Sequence, residues 1–396
     1  MKFCSIRANA RIGLLAFLVI SMTSSVMRTA IGQTATVQTT TAQIVHAANT
    51  FLSTLSEKQR QSVLYAFNDA QQRARWSNFP TGFIPRGGIS LKEMNPVQRS
   101  AAMALMATVL SPKGYQKVEQ IMESDEVNKV DEIKLAKSGK GGPPRGNGGP
   151  PPGGGGPPPG GGPPPGGGQN RPPMGGPETL FGKDLYYISF LGKPSEKDPW
   201  MLQFGGHHLA LNITIAGNRG VLTPTLTGAQ PALYTIDGKT VRPLGQESDK
   251  AFALLQTLDD KQRKQAILSY QLADLVLGPG QDGKTIVPEG LKASTMNEHQ
   301  RAMLLDVISE WAGIIHQSAA EARMAQLKAD LGETWFAWSG PTTVTPGKNI
   351  TAYYRIQGPH LVIEYAPQTL GGDPAMHVHT MYRDPTNDYG KGIVQQ

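Results

Sequence analysis

The sequence predicts an α+β protein of two similar halves, related by internal duplication, each a helical pair plus a small antiparallel sheet. Three observations predict it. Leu55-Ser56-Glu57-Lys58-Gln59-Arg60-Gln61 resembles Leu258-Asp259-Asp260-Lys261-Gln262-Arg263-Lys264. Gly88 to Arg99, with Met94-Asn95-Pro96-Val97-Gln98-Arg99, resembles Gly290 to Arg301, with Met296-Asn297-Glu298-His299-Gln300-Arg301, so the spacing is kept between the two copies. After each helical stretch come short runs rich in aromatic and β-branched residues, the composition of strands.

The elements follow in order. Ser56 with Gln59, Asn95 with Gln98, Asp259 with Gln262 and Asn297 with Gln300 each have the spacing of a capping box, so each starts a helix. Pro96 suits the first helical position, where a missing N–H is harmless. Helical spacing puts Val63, Leu64, Phe67 and Ala70 on one buried face, and Met103, Met106, Val109 and Leu110 on another. Ala266, Ile267 and Tyr270, then Leu304, Leu305, Ile308 and Ile315, are their counterparts. The first set of strands is read at Leu185–Phe190, Trp200–Phe204 and His208–Ile215; the second at Thr334–Trp338, Ala352–Ile356 and His360–Tyr365. Gly206-His207-His208-Leu209-Ala210-Leu211-Asn212 aligns without a gap on Gly358-Pro359-His360-Leu361-Val362-Ile363-Glu364. The expected halves are residues 45–245 and 246–396.

Two segments stand outside this plan. Residues 1–32 read as a signal peptide: Lys2, Arg7 and Arg11 precede the apolar run Ile12–Met22, which is short for a membrane span but suits a signal core, and Ala30-Ile31-Gly32 is a cleavage site. The expected location is therefore the periplasm or the outside of the cell, with no integral membrane segment in the mature chain. Residues 139–177 form a Gly/Pro-rich insert in the first half. Such a tract cannot bury enough apolar surface to offset its ordering entropy, so it is expected to be disordered.

Charge and cysteine content exclude several classes. Of 38 basic residues, Lys2, Arg7, Arg11 and Arg28 lie in the leader, leaving 34 against 31 acidic residues. That balance lacks the basic excess of a dedicated nucleic-acid binder. The single Cys, Cys4, is also in the leader, so thiol catalysis, disulfides and Cys-ligated metals are not expected in the mature chain. Phosphate-binding Gly loops, the Gly-x-Ser-x-Gly elbow and the His-Glu-x-x-His helix are missing from the sequence.

Histidines carry the chemistry. Of eight, five lie in or beside the strand segments: His207, His208, His360, His377 and His379. In a strand, His377 and His379 point to one face, as two metal ligands must. Glu364 lies in an apolar strand and needs a cation, either a metal or Arg355. The expected ligand set is His377, His379, Glu364 and His208 around one divalent transition metal; imidazole does not distinguish Zn, Cu, Mn or Fe. His208, Arg383 and Asp384 are the candidate catalytic groups, His208 as general base and Arg383 as a clamp for an anionic substrate group. The run from Tyr382 to Gly390 also reads as a polar latch that ends the sheet.

Gly206-His207-His208-Leu209 with Asn212, the Trp335-Phe336-Ala337-Trp338-Ser339-Gly340 block, the Tyr353-to-Glu364 strand pair and the His377-x-His379-x-x-x-Arg383-Asp384-Pro385-x-Asn387-Asp388-Tyr389-Gly390 ending together resemble a mostly exported, uncharacterised family, domain of unknown function 3500. The resemblance runs from about residue 45 to 393, the insert excepted. It implies no catalytic assignment. Three functions therefore stand: a metal-dependent hydrolase or oxidoreductase, a non-catalytic small-ligand or metal-binding protein, and a structural protein whose His, Arg and Asp groups satisfy one another. A small-molecule ligand or substrate fits the first two; oligomeric state is not readable.

Overall fold

A computed structural model describes residues 40–138, 176–370 and 372–394. The expected leader lies outside these residues, as does the Gly/Pro tract up to residue 175. The first half begins with α1 (residues 40–54), α2 (Glu57–Val63), β1 (Leu64–Tyr65), α3 (Ala70–Arg73), β2 (Ile89–Ser90), α4 (Pro96–Val109), α5 (Pro112–Lys137) and α6 (Pro177–Leu180). Strands follow: β3 (Tyr187–Leu191), β4 (Trp200–Gly206), β5 (Leu209–Ala216), β6 (Arg219–Val221), β7 (Thr225–Ala229), then β8 (Tyr234–Ile236) and β9 (Lys239–Val241). The second half has α7 (Gly245–Thr257), α8 (Asp260–Ala266), β10 (Leu291–Lys292), α9 (Glu298–Ala312), α10 (Gln317–Ala329), β11 (Trp335–Ser339), β12 (Tyr353–Gly358), β13 (Leu361–Pro367), β14 (Val378–Arg383) and α11 (Lys391–Val394).

All four expected capping boxes form. Ser56, Asn95, Asp259 and Asn297 each accept from the backbone of Gln59, Gln98, Gln262 and Gln300, whose side chains bond back to the cap. The periodicity after the first and third boxes misleads, however. Helix α2 stops at Val63 instead of running to Ala70, and α8 stops at Ala266. The chain turns extended because a strand takes its backbone: Leu64 pairs in parallel with Phe190, and Ile267 bridges Trp338 in parallel. Tyr270 is consequently 43% exposed and not part of a buried helical face.

Instead of one small sheet per half, a single large sheet runs through both, and β8 and β9 pair apart from it as a two-stranded sheet. Among the described residues, twelve strands join in the order β1-β3-β4-β5-β7-β14-β13-β12-β11-β10, with β2 beside β3 and β6 beside β5. The β7–β14 pair closes the seam, with Thr227 opposite Thr380 and Gly228 opposite His379. Strand β7 holds no sequence signal of its own, since Thr225-Leu226-Thr227-Gly228-Ala229 is short and contains glycine. The pairings on either side of the seam repeat: Ile89 opposite Ile188 is matched by Leu291 opposite Phe336, and Gln203 opposite Asn212 by Arg355 opposite Glu364.

The two faces differ in chemistry. One is apolar and covered by helices, with Phe190, Trp200, Leu202, Leu211 and Ile213 packed on α4 and α5 in the first half. In the second half, Trp338, Tyr354 and Tyr365 stack under α7 and α9, so these aromatics are core. Trp311 of α9 donates its indole N–H to Thr380 Oγ1, which also bonds Thr227 Oγ1 at 2.7 Å, so the seam is tied on this side. The opposite face is largely polar, with a small apolar cluster of Trp76, Ala210, Leu226, Leu275, Tyr353, Ala366 and Met381. Irregular segments cover it, and they position the groups described next.

Candidate metal centre

The strands place three histidines together at one end of the seam. His379 is the first residue of β14 to face the polar side, and His377 lies two positions earlier in extended conformation, so both rings share a face. His208 comes from the two-residue turn between β4 and β5. Its φ is +60°, a left-handed conformation usual for glycine or asparagine and costly for histidine, of order 1–3 kcal/mol. Gly228 makes room for it: a Cβ there would sit 3.1 Å from His208 Cδ2 and 2.8 Å from the Val378 carbonyl oxygen.

The nitrogens converge. His208 Nε2 lies 3.0 Å from His377 Nε2, which lies 3.1 Å from His379 Nε2. One ligand atom from each ring falls within 4.8 Å of the others, and exposures are 2, 5 and 6% for His208, His377 and His379.

Protonation makes this geometry informative. His377 Nδ1 donates to the Leu370 carbonyl at 2.8 Å, so the proton of the neutral ring is on Nδ1 and Nε2 is a bare lone pair. Burial, and then the neighbouring His379, push its pKa down to about 3, so the ring is neutral. His208 is held well below its ordinary value by burial and by His207, His377 and His379. His379 Nδ1 faces Asp274 Oδ1 at 3.5 Å, with Asn78 Nδ2 at 3.4 Å. Burial would raise the Asp274 pKa, but the His379 ring, the Leu275 N–H and the Gln368 amide outweigh it and the carboxylate is favoured. When the Asn78 amide donates to His379 Nδ1, that ring's proton is on Nε2 and bonds His377; with the proton on Nδ1 toward Asp274 instead, the His377 and His379 Nε2 lone pairs face each other across 3.1 Å. Two acceptors at that distance repel unless a cation lies between them. A carbonyl or carboxylate behind each imidazole is also the usual support of a metal-binding histidine.

The structure does not bring the other expected residues here. Glu364 is buried, but its carboxylate accepts from the Val276 and Leu277 N–H groups and the Tyr353 hydroxyl at 2.7–2.8 Å. Burial raises its pKa despite those bonds. Arg383 and Asp384 lie at the far end of β14, roughly 13 Å along the strand from His379. Arg383 donates to the Leu277 and Gly278 carbonyls and pairs with Asp282 and Asp388. Asp384 pairs with Arg323 at 2.8 Å and accepts from Thr386. Both serve the latch. His360 is on the surface, bonded to Thr386 Oγ1.

Of the residues that support the centre, only His207 stands out in the sequence, as one of the strand-region histidines. His207 bonds Asp125 Oδ1 through Nδ1 at 2.6 Å and stacks on His208 with ring centres 3.7 Å apart. Asp125 is also anchored by the Gly182 N–H. Asn78 and Asp274 come from irregular segments far away in sequence, where no periodicity marks them.

The family model described as "Protein of unknown function (DUF3500)" matches residues 37–391, and the chain belongs to this family. No curated protein and no solved structure matches it.

Proposed function

We propose that this member of the DUF3500 family is a metalloprotein whose His208, His377 and His379 hold one divalent transition metal, and that it acts as a metal-dependent enzyme. The single observation that carries the reading is the convergence of three buried imidazoles, with His377 Nε2 at 3.0 Å from His208 Nε2 and 3.1 Å from His379 Nε2. The spacing fits. Metal–nitrogen bonds of about 2.0–2.1 Å in a tetrahedral shell put ligand nitrogens about 3.3 Å apart, close to the two short contacts. Three protein ligands leave a coordination position open, the hallmark of a catalytic rather than a structural site. A metal bound there would supply Lewis acidity and an acidified water, or redox chemistry if the ion is Cu, Fe or Mn. The chain's own part is to hold the rings neutral, oriented and shielded from bulk water. The expected leader makes the protein an exported one in this reading. No helix among the described residues is long and apolar enough to cross a membrane.

The second reading, a metal-binding protein without catalysis, keeps the same ligands but closes the fourth position. Cobalt substitution separates the two. An open site gives a visible spectrum that changes when azide is added; a closed shell gives one that does not.

We also propose that the halves arose by internal duplication. The repeated capping boxes and the matched pairings, Leu64 with Phe190 and Ile267 with Trp338 among them, support it. The metal centre then draws His208 from one half and His377 and His379 from the other. Random-mutant tolerance of matched positions would show unrelated profiles if the halves were of separate origin.

A further inference from the structure

An open groove of about 490 Å³ lies between α5 and the β8–β9 hairpin. Its α5 wall holds Glu123, Val127, Val130 and Lys134, spaced as one helix face, with Glu126 and Asp131 beside them. From the first of these to the last is about 16 Å of helix, the length of about five residues of extended chain. Leu233 and Met376 add apolar surface, and Val130 is 40% exposed.

The opposite wall is a strand edge. Asp237 and Gly238, both at positive φ, make the two-residue turn of the hairpin. Ile236 and Lys239 close that turn, so they exchange both ladder bonds, as do Tyr234 and Val241. Thr235 lies between these pairs. Its N–H and C=O therefore point away from β9, and neither has a backbone partner among the described residues. Leu233, two residues earlier, has none either. The groove touches Tyr234 and Thr235 but no residue of β9, so it opens on this free edge. A free edge beside a partly apolar helix face is a setting in which an extended segment adds as a further strand.

The groove is also acidic. Its walls carry Glu123, Glu126 and Asp131 against one ammonium, Lys134. Glu123 and Glu126 pair with Lys183 and Lys129, which are not among the walls, and Asp131 pairs with Lys134. Solvated pairs of this kind are worth little and leave the carboxylates open to a further cation. Burial, and then Glu123, push the Tyr234 phenol up to about 12, so this carboxylate acts on the groove.

We propose that this groove takes an extended segment of a partner protein, about five residues long, in which apolar and basic side chains alternate. The segment's main chain pairs with Thr235. Its apolar side chains sit against Val127, Val130, Leu233 and Met376, and its basic ones meet Glu123, Glu126 and Asp131. Alternation follows from strand geometry, which sends successive side chains to opposite faces. The inference stands apart from the metal centre and does not rest on the enzyme reading.

The test is fluorescence anisotropy of the full chain with a fluorescein-labelled peptide of three valines alternating with two lysines. One comparator carries glutamate for lysine; the other is N-methylated along its main chain and cannot donate. Saturable binding of the lysine peptide is expected, with Kd below about 1 mM, and binding about tenfold weaker or worse for both comparators. Thr235→Pro removes the outward N–H and no ladder bond, and should weaken binding about tenfold or more. It can disturb the hairpin, so Val130→Arg is the second variant: it sits on an exposed helix surface and adds bulk and positive charge to the groove. A loss of about tenfold or more is expected there too. Absence of saturable binding, equal affinity for the glutamate or the N-methylated peptide, or unchanged affinity in either variant would overturn the assignment. So would a gain of about tenfold on deleting residues 141–168, which would make the chain's own Gly/Pro tract the occupant. A dimer in sedimentation that Val130→Arg dissociates would make the occupant a second copy and overturn it as well.

Discussion

His208 and His377 are 169 residues apart in the chain, yet their Nε2 atoms meet at 3.0 Å across the β7–β14 seam. One ring comes from a hairpin turn and the other from the approach to a central strand. Neither could be moved by one ring-width without breaking the turn or the strand register. The contact is thus a product of the whole sheet.

Gly228 is the first place to test that dependence. It lies opposite His379 in the ladder and under His208. Gly228→Ala is expected to destabilise the fold by about 1–3 kcal/mol through overpacking, and to lower metal affinity more than a distant substitution of equal stability cost does. Denaturant melts together with chelator competition check both parts.

Asp274 tests the support behind His379. Asp274→Asn removes the charge facing Nδ1 while keeping the shape. Metal affinity should fall by about 10–100-fold with the fold retained. Equal affinity in chelator competition would remove Asp274 from the account.

His316 gives a pH prediction outside the metal centre. It caps α10, bonds Ser318 Oγ through Nδ1, and burial pushes its pKa down to about 4. A histidine depressed in the folded state binds its proton first when unfolded, so its neutral form favours folding fully above pH 6.5. That stability is lost as pH falls from about 6.5 to about 4, by up to about 3 kcal/mol. His316→Gln should flatten stability over this window relative to wild type, measured by urea melts at successive pH values. Parallel curves would contradict it.

Local signals were legible and long-range ones were not. Each capping box needs only residues three apart, and all four formed as the spacing demanded. His377 and His379 were legible because strand alternation is also local. His208 was legible as one of the histidines clustered in or beside the strand segments, but no local pattern announces its positive φ in the turn. Glu364 misled because its partners, the Val276 and Leu277 N–H groups, arrive from a segment 87 residues away. The helices α2 and α8 were overextended because apolar spacing at Leu64 and Ile267 does not reveal that a strand waits beside them.

The central claim is that three imidazoles hold a metal. The most direct measurement is elemental analysis of the folded chain after incubation with Zn, Cu, Mn and Fe salts and gel filtration, beside His377→Ala/His379→Ala. About one equivalent of a single metal is expected per wild-type chain, and less than roughly a tenth of that in the variant. Metal-free wild type with an intact circular dichroism spectrum, or equal metal in the variant, would contradict it.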